Sequence, residues 1–288
     1  MSIVPEVAWR LECLLGEGPV WFAADQSLRF VDIKQGHIHR FDPATGTGES
    51  VNAGGKPGFI VPAANGTAVV GDGHRLYRLD GTGPGETLAE VDMPRHNRIN
   101  DGTLSPDGVL WFGTMDDEEN LPTGSIFRFV GTQIRPTALR AVVTNGPAFS
   151  PDGKVLYVAD SGSRRIWRFD PGEDPMLERG EPFIELNAAE GYPDGVVTDA
   201  EGCLWVGLWD GWGVRRYSPQ GEVMLHVALP CARVTKLAFG GPDLTTAFVT
   251  TARIGLDSNA LAGQPLAGSL FQFDAPVRGW VAASCQPD

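Results

Sequence analysis

The sequence has little that is typical of helical, nucleic-acid-binding or membrane proteins. No amphipathic helical run of convincing length occurs in its 288 residues, which argues against a helical fold. Basic residues are scarce: 23 Lys and Arg stand against 36 Asp and Glu, and the net charge of −13 would repel a nucleic-acid backbone or an anionic membrane. The N-terminus has no basic flank before an apolar run, and no segment reaches the ~18 apolar residues of a spanning helix. We therefore expect a cytoplasmic protein with no nucleic-acid or membrane partner.

Several motifs of metal and nucleophilic chemistry are also missing. The four cysteines, Cys13, Cys203, Cys231 and Cys285, are far apart, and no histidines lie near them at zinc-binding spacing. We expect them to be reduced thiols that are mostly buried. The chain has no Gly-x-Ser-x-Gly elbow and no P-loop, so neither a serine hydrolase nor a P-loop nucleotide-binding protein is indicated.

An internal repeat is the main feature that is present. The 37 glycines and 22 prolines punctuate short apolar runs. Each apolar run is followed by a second run such as IHRFD or IWRFD. With one strand before and one strand after this pair, each repeat is predicted to contain four antiparallel strands. A repeat takes roughly 40–50 residues, which is the period of a propeller blade. The sequence thus predicts an all-β fold, a single six-bladed β-propeller of four-stranded antiparallel blades over residues 1–288. The repeated runs lie at 27–33, 67–73, 109–115, 154–160, 203–209 and 246–252.

The N-terminal segment VAWRLEC resembles TALRAVV, which is predicted as the fourth strand of blade three. We expect the N-terminal segment to complete the last blade and close the ring of blades.

Alignment of the repeats places polar residues on the propeller axis. In blades three, four and five the glycine of a hairpin turn follows a polar residue by eight positions. That position begins the innermost strand of each blade, so the side chains converge on the central channel. The residues are Asn100, Asn145 and Asp194, and the same register gives Glu17, Gly58 and approximately Thr235 in the other blades.

Asp107 and Asp152 belong to the Ser-Pro-Asp-Gly hairpins at the other end of the strands. We expect them to lie on the opposite face and to be turn residues that accept local hydrogen bonds.

Two carboxylates and two amides on the axis predict a cation site, which we call the axial ring (Glu17, Asn100, Asn145 and Asp194). Neighbouring desolvated carboxylates have raised pKa values or destabilise the fold unless a cation compensates them. Oxygen donors suit Ca²⁺ first, then Mg²⁺ or Mn²⁺. The alternative is a polar channel that binds ordered water.

The loops around this end of the channel are polar. Arg98 is two residues from Asn100 and so is expected on the same side of the strand. Residues 116–119 form an acidic run, Trp209 and Trp212 flank Asp210, and the long segment 252–268 is a candidate lid. Such side chains suit a polyhydroxylated small molecule.

The motifs LGEGPVW, RINDG followed by FGTM, TNGPAFSPDGKVLYVADS and YPDGVVTDAEGCLWVGLWDG resemble the gluconolactonase/regucalcin (senescence marker protein) family. The resemblance covers nearly the whole chain and is strongest to the bacterial sugar-lactonase branch, which includes xylonolactonase-type enzymes. It implies a divalent metal held by Glu17, Asn145 and Asp194, with Asn100 as a further ligand or a substrate contact. It also implies that Arg98, Asn100 and Glu118 bind the sugar lactone, that Asp194 is the acid/base, and that Ca²⁺, Zn²⁺, Mn²⁺, Mg²⁺ or Fe²⁺ is the metal.

The leading hypothesis is therefore a metal-dependent hydrolase of carbohydrate metabolism, which converts an aldono-1,4- or 1,5-lactone to the aldonic acid with Asp194 as acid/base. One alternative is a propeller esterase or organophosphatase that uses the same metal site. Another is a regulatory propeller that binds a divalent cation without turnover. Neither the preferred sugar lactone nor the oligomeric state follows from the sequence.

Overall fold

The computed structural model describes residues 3–81 and 83–287, and in these ranges 24 strands form six four-stranded antiparallel sheets. The predicted six-bladed propeller is thereby confirmed. Blades one to five comprise β2–β5, β6–β9, β10–β13, β14–β17 and β18–β21, and blade six comprises β22, β23, β24 and β1. The strands are β1 (Glu6–Trp9), β2 (Gly16–Phe22), β3 (Ser27–Asp32), β4 (His37–Asp42), β5 (Thr47–Asn52), β6 (Pro57–Pro62), β7 (Ala68–Asp72), β8 (Arg75–Asp80), β9 (Gly83–Glu90), β10 (Asn97–Leu104), β11 (Leu110–Asp116), β12 (Ile126–Val130), β13 (Gln133–Pro136), β14 (Thr144–Phe149), β15 (Leu156–Asp160), β16 (Arg165–Phe169), β17 (Glu181–Glu185), β18 (Tyr192–Thr198), β19 (Leu204–Trp209), β20 (Gly213–Tyr217), β21 (Val223–Ala228), β22 (Val234–Gly240), β23 (Thr246–Thr251) and β24 (Leu270–Asp274).

Burial falls from the first to the fourth strand of a blade. Every residue of β14 and β22 is buried, whereas β5 and β21 are mostly exposed. The first two strands of a blade are covered on both faces by the neighbouring blades, and this is why the second strands read as continuous apolar runs rather than as an alternating pattern. The fourth strand lies at the rim, where polar residues are tolerated.

Hydrophobic clusters hold adjacent blades together. In the described part of the chain six clusters of buried side chains occur, one at each interface between neighbouring blades. Between blades two and three, for example, Phe112 packs against Phe59 and Phe127 with ring centroids 5.9 and 5.6 Å apart. Because each interface buries apolar surface that no single blade covers alone, the blades stabilise one another.

The N-terminal strand β1 closes the ring of blades. It pairs antiparallel with β24, with Glu6 opposite Gln272 and Val7 opposite Phe271, and so forms the fourth strand of blade six. The expectation from the sequence is confirmed. Since the N-terminal strand belongs to the sheet of the last blade, backbone hydrogen bonds join the start of the chain to its final strand.

The segment that follows β24 crosses the far end of the channel. The Trp280 indole N–H donates to Thr198 Oγ1 at 2.8 Å, and the backbone N–H of Cys285 donates to Pro62 O at 3.0 Å. The Ala283 N–H donates to the carbonyl of Pro106, which lies in a Ser-Pro-Asp-Gly hairpin. This C-terminal segment thus bridges blades five, three and two on the face that carries those hairpins.

Helices are minor elements of the described ranges. Two 3₁₀ turns occur at Ala64–Gly66 and Ala188–Glu190, and helix α1 spans Ser258–Gly263. No helix among the described residues has the length and apolar character needed to span a membrane. The single domain over 1–288 stays a prediction, and residues 1, 2, 82 and 288 lie outside the described ranges.

Candidate active site

A bulge in the innermost strand of each blade sets the direction of the axial side chains. In blade three the pairing passes from Ile99 opposite Thr114 to Gly102 opposite Phe112, so Asn100 lies inside the bulge. Asp194 occupies the same place in blade five. A bulge opposes two residues to one and re-aims the side chains beside it.

Glu17 and Asn145 lie one position earlier, as the last paired residues before their bulges. The register predicted from the sequence therefore places all four residues at the same end of their strands, as the structure does. It treats the four positions as equivalent, however, whereas Glu17 and Asn145 lie one residue earlier in the strand pairing than Asn100 and Asp194. Each of these two residues precedes a glycine with positive φ, 54° at Gly18 and 73° at Gly146. This shared backbone turn explains the likeness between Glu-Gly-Pro and Asn-Gly-Pro.

The other two register positions contribute no side chain to the ring. A Cβ at Gly58 would lie 2.1 Å from the carbonyl oxygen of Asn100, so glycine allows blades two and three to approach closely. Thr235 turns away and donates its hydroxyl to Gly16 O at 2.6 Å.

All four axial ring residues line one cavity of about 560 Å³, and so does Arg98. Their side chains are almost completely buried, each about 5% exposed. Volumes of this size are usual for sites that bind small molecules.

A chain of hydrogen bonds orients the amides of the ring. Arg98 Nη1 donates to Asn100 Oδ1 at 2.6 Å, and Asn100 Nδ2 donates to Asn145 Oδ1 at 2.7 Å and to Thr144 O at 2.9 Å. Asn145 Nδ2 in turn donates to Ser161 Oγ at 3.0 Å. Both amide oxygens keep one acceptor position, since a carbonyl oxygen has two lone pairs.

The two carboxylates of the ring have few hydrogen-bond donors. Glu17 Oε2 accepts the N–H of Gly18 at 2.8 Å, and among the described residues Asp194 accepts no hydrogen bond. Burial raises the pKa of Glu17, and the charge of Asp101 raises it further. The pKa of Asp194 is raised well above its ordinary value by burial, and then by the negative charges of Glu17, Asp101 and Glu119.

These carboxylates fit a divalent cation. Each pKa is raised because its negative charge is desolvated beside others, and a cation between Glu17, Asp194 and the Asn145 oxygen would remove that penalty. No group of three or more His, Cys, Asp or Glu side chains arranged for a metal occurs in residues 3–81 and 83–287. The donors here are two carboxylates with amide oxygens, which is an oxygen set for a hard cation.

Arg98 is held by an ion-pair cluster that the sequence did not predict. Its Nε lies 2.8 Å from Asp117 Oδ1, and the same carboxylate binds Lys34 Nζ at 3.0 Å and Lys56 Nζ at 2.5 Å. Burial alone would raise the pKa of Asp117, but the lysine hydrogen bonds and the Arg98 charge hold it well below its usual range. The two lysines come from loops of other blades, so no local pattern links them to Asp117.

A second buried ion pair lies deeper in the channel. Asp101 and Lys236 are the second residues of the bulges in blades three and six, and Lys236 Nζ lies 2.7 Å from both oxygens of Asp101. Neither Asp101 nor Lys236 was expected at the site from the sequence. The only available signal was their place in the register, directly after Asn100 and Thr235.

The acidic loop after β11 lines the cavity with Asp117 and Glu119 and not with Glu118, the residue that the family resemblance implied. Glu118 is exposed and does not line the cavity, whereas its neighbour Glu119 does. Trp209 and Asp210 also line the cavity, while Trp212 lies outside it and is 47% exposed.

The aspartates of the two Ser-Pro-Asp-Gly hairpins form hydrogen bonds within their own turns. Asp107 and Asp152 accept hydrogen bonds from the hydroxyls of Ser105 and Ser150 within their hairpins, so they are turn residues as expected.

The candidate lid, segment 252–268, contains α1 and is hydrogen-bonded to the segment before β2, where the Ile254 N–H donates to Leu14 O at 2.9 Å. Ile254 and Gly255 line the cavity. All four cysteines are free and buried, as predicted.

Comparison with known proteins agrees with this architecture. Residues 15–253 match the family described as "SMP-30/Gluconolactonase/LRE-like region". The chain is 34% identical to 6-deoxy-6-sulfogluconolactonase of Pseudomonas putida, covering 94% of each protein, and 32% identical to a pentonolactonase of Haloferax volcanii, covering 93% of each. The crystal structure of regucalcin from Agrobacterium tumefaciens, described as a calcium-binding protein, has a TM-score of 0.91 at 28% identity and covers 99% of this chain and 98% of its own. The chain belongs to the SMP-30/gluconolactonase/LRE-like family.

Proposed function

We propose that this protein is a divalent-cation-dependent lactonase that hydrolyses a sugar lactone to the aldonic acid. The observation that carries the proposal is the pair of buried, poorly hydrogen-bonded carboxylates, Glu17 and Asp194, in one cavity with Asn145, Asn100 and Arg98. Family membership supports the reaction class, since two relatives that match nearly the whole chain are named as lactonases of sugar acids.

Glu17, Asn145 and Asp194 would hold the cation, and Asn100, whose Oδ1 keeps one acceptor position, lines the same cavity. A divalent cation at this place supplies Lewis-acid polarisation of the lactone carbonyl and stabilises the negative charge that develops on its oxygen. Calcium is our first expectation from the oxygen donors, and Mg²⁺, Mn²⁺, Zn²⁺ and Fe²⁺ are the alternatives to compare.

Asp194 is the proposed acid/base. Its carboxylate accepts no hydrogen bond from the described residues, so it is available to take a proton from the attacking water. As water adds to the carbonyl carbon, Asp194 accepts the proton. It returns that proton to the ring oxygen when the ester C–O bond breaks, which gives the hydroxy acid and restores the carboxylate.

Arg98 and Asn100 are the proposed contacts to the sugar hydroxyls. Asp117 fixes the Arg98 guanidinium through Nε, and Arg98 Nη2 has no acceptor among the described residues. A donor that is already held in place loses little side-chain entropy when it binds a hydroxyl. Met115 and Ile254 also line the cavity and supply apolar surface that suits a carbon skeleton.

The proposal is tested with chelator-treated protein to which each metal is restored in turn. Hydrolysis of a panel of glucono-, xylono-, arabinono- and galactonolactone is followed through acid release, with an aryl ester and an organophosphate as comparison substrates. We expect cation-dependent hydrolysis of at least one sugar lactone above the spontaneous rate. Asp194→Asn should lower it by about 100-fold or more, the usual scale of general acid–base catalysis.

Asp152→Asn is the matched control, because it changes an aspartate on the opposite face of the propeller and should leave the rate unchanged. Tight cation binding without hydrolysis of any sugar lactone would instead support a regulatory propeller. Faster turnover of the aryl ester or the organophosphate would assign a different hydrolase. Cytoplasmic location and the lack of nucleic-acid and membrane partners stay predictions from the sequence.

A further inference from the structure

Arg233 forms part of the cavity wall on the side away from Arg98. It directly precedes β22 of blade six, and it lines the cavity together with Trp209, Asp210 and Gly255. Arg98 belongs to blade three, and in a ring of six blades the third and sixth lie on opposite sides of the axis. The two guanidinium groups therefore face the cavity from opposite sides.

The Arg233 side chain is held in one position by three neighbours. Its Nε lies 3.1 Å from Asp210 Oδ1, and its guanidinium lies over the Trp209 ring at 4.8 Å from the centroid. A Cβ on Gly255 would lie 2.6 Å from Nη1, so the glycine backbone of the blade-six loop packs directly against the guanidinium. The side chain is 17% exposed.

The terminal nitrogens of Arg233 have unused hydrogen-bonding capacity. Among residues 3–81 and 83–287, Nε donates to Asp210, but neither Nη1 nor Nη2 has an acceptor. A fixed guanidinium with free N–H groups is suited to bind a pair of oxygen atoms. Because the Asp210 carboxylate compensates the charge of Arg233, the Arg233–Asp210 pair as a whole is neutral. A neutral pair favours the binding of uncharged hydroxyls over that of a sulfonate or phosphate group.

We propose that Arg233 is a specificity-determining residue that binds the exocyclic hydroxymethyl group of a six-carbon 1,5-lactone. The inference rests on the proposed lactonase function. With the ester at the axial ring and the ring hydroxyls near Arg98, the exocyclic arm extends toward blade six. Arg233 then donates to its hydroxyl, and Trp209 packs beside the arm.

The test uses ligands that differ only by the arm. Glucono-1,5-lactam and xylono-1,5-lactam share the ring hydroxyls, are not hydrolysed as esters, and differ by one hydroxymethyl group. Titration calorimetry on the calcium-loaded protein should give at least about 10-fold tighter binding of the gluconolactam, about 1.4 kcal/mol. Arg233→Met should remove that preference while xylonolactam binding changes less than about twofold.

Two further variants keep the test valid if Arg233→Met folds poorly. Asp210→Asn leaves Arg233 in place but removes its ionic partner, and asparagine tolerates the positive φ of 58° found there. It should give a partial loss of the same preference. Arg168→Met is the matched control, since Arg168 also pairs with a carboxylate, Glu181, and lies over an aromatic ring, Phe183, yet does not line the cavity.

Lack of preference in the wild type, or a preference that persists in Arg233→Met, would overturn the inference. Tighter binding of a six-carbon lactam with a sulfonate or phosphate on its arm than of the gluconolactam would also contradict it. The binding readout is independent of turnover. A wild type that prefers gluconolactam but hydrolyses no lactone would therefore refute the lactonase function while supporting the role of Arg233.

Discussion

Lys236 and Asp101 form a buried ion pair in the channel, with the ammonium nitrogen 2.7 Å from each carboxylate oxygen. Neither side chain is more than 6% exposed. They come from blades three and six, so the pair spans the axis directly beneath the axial ring. The Lys236 charge also lowers the pKa values of Glu17 and Asp194, opposing the larger effect of burial.

Removal of one member of this pair should destabilise the fold. Lys236→Met leaves the Asp101 carboxylate buried without its partner, and we expect a loss of about 3–5 kcal/mol in the free energy of unfolding. Urea denaturation measures this. The double variant Asp101→Asn/Lys236→Met should recover most of the loss, because no charge is then left uncompensated. A single variant as stable as the wild type would show that solvent or another cation reaches Asp101.

Neutralising Asp194 should have opposite effects on the metal-free and metal-bound protein. In chelated protein at pH 8, Asp194→Asn removes repulsion between buried carboxylates, so the variant should be more stable than the wild type by about 1–2 kcal/mol, the scale of one pKa unit. Added Ca²⁺ should raise the melting temperature of the wild type but not that of the variant. Thermal unfolding with and without calcium measures both effects. Equal calcium stabilisation of the two proteins would place the cation elsewhere.

His39 should make stability depend on pH. Burial lowers the pKa of His39 to about 4, and its ring nitrogens lie 2.7 Å from Ser50 Oγ and 3.7 Å from Cys13 Sγ. Since the folded pKa lies below the unfolded value of about 6.5, the unfolded chain takes up the proton first, and stability is lost as the pH falls through this window. Between pH 7.5 and 5 the loss should be about 2 kcal/mol.

Urea unfolding of the wild type and of His39→Gln at both pH values isolates this contribution. The difference between the two proteins should shrink by that amount at the lower pH. If the difference stays constant, His39 is already accessible to protons in the folded state.

Glu118 and Glu119 can be separated by paired substitutions. Of the two, only Glu119 lines the cavity, so Glu119→Gln should raise the KM for the lactone about 10-fold or more, the scale of one lost hydrogen bond to a charged group. Glu118→Gln should leave KM unchanged because Glu118 is exposed outside the cavity. Steady-state kinetics on the two variants decides between the neighbours. An effect confined to Glu118 would support the position that the family resemblance implied.

Propeller architecture and the identity of the axial ring are readable in the sequence because both are periodic. Each blade repeats the same apolar runs, and the hairpin glycines supply a register that places Glu17, Asn100, Asn145 and Asp194 at one end of the strands. The register predicted from the hairpin glycines is accurate to one residue only, because the bulges at Gly18 and Gly146 shift the strand pairing without changing the length of the repeat.

Contacts between blades are not periodic, and the tertiary structure alone decided them. Asp117 binds Lys34 and Lys56, which are 83 and 61 residues away, and Lys236 binds Asp101 across 135 residues. Closing the ring brings these loops and strands together, and the partner of each charge depends on the angle between blades rather than on any spacing in the chain. The acidic loop beside the site is an example: its composition is readable in the sequence, but only the folded backbone, which turns at Glu119 with φ of 59°, determines that Asp117 and Glu119 line the cavity while Glu118 does not.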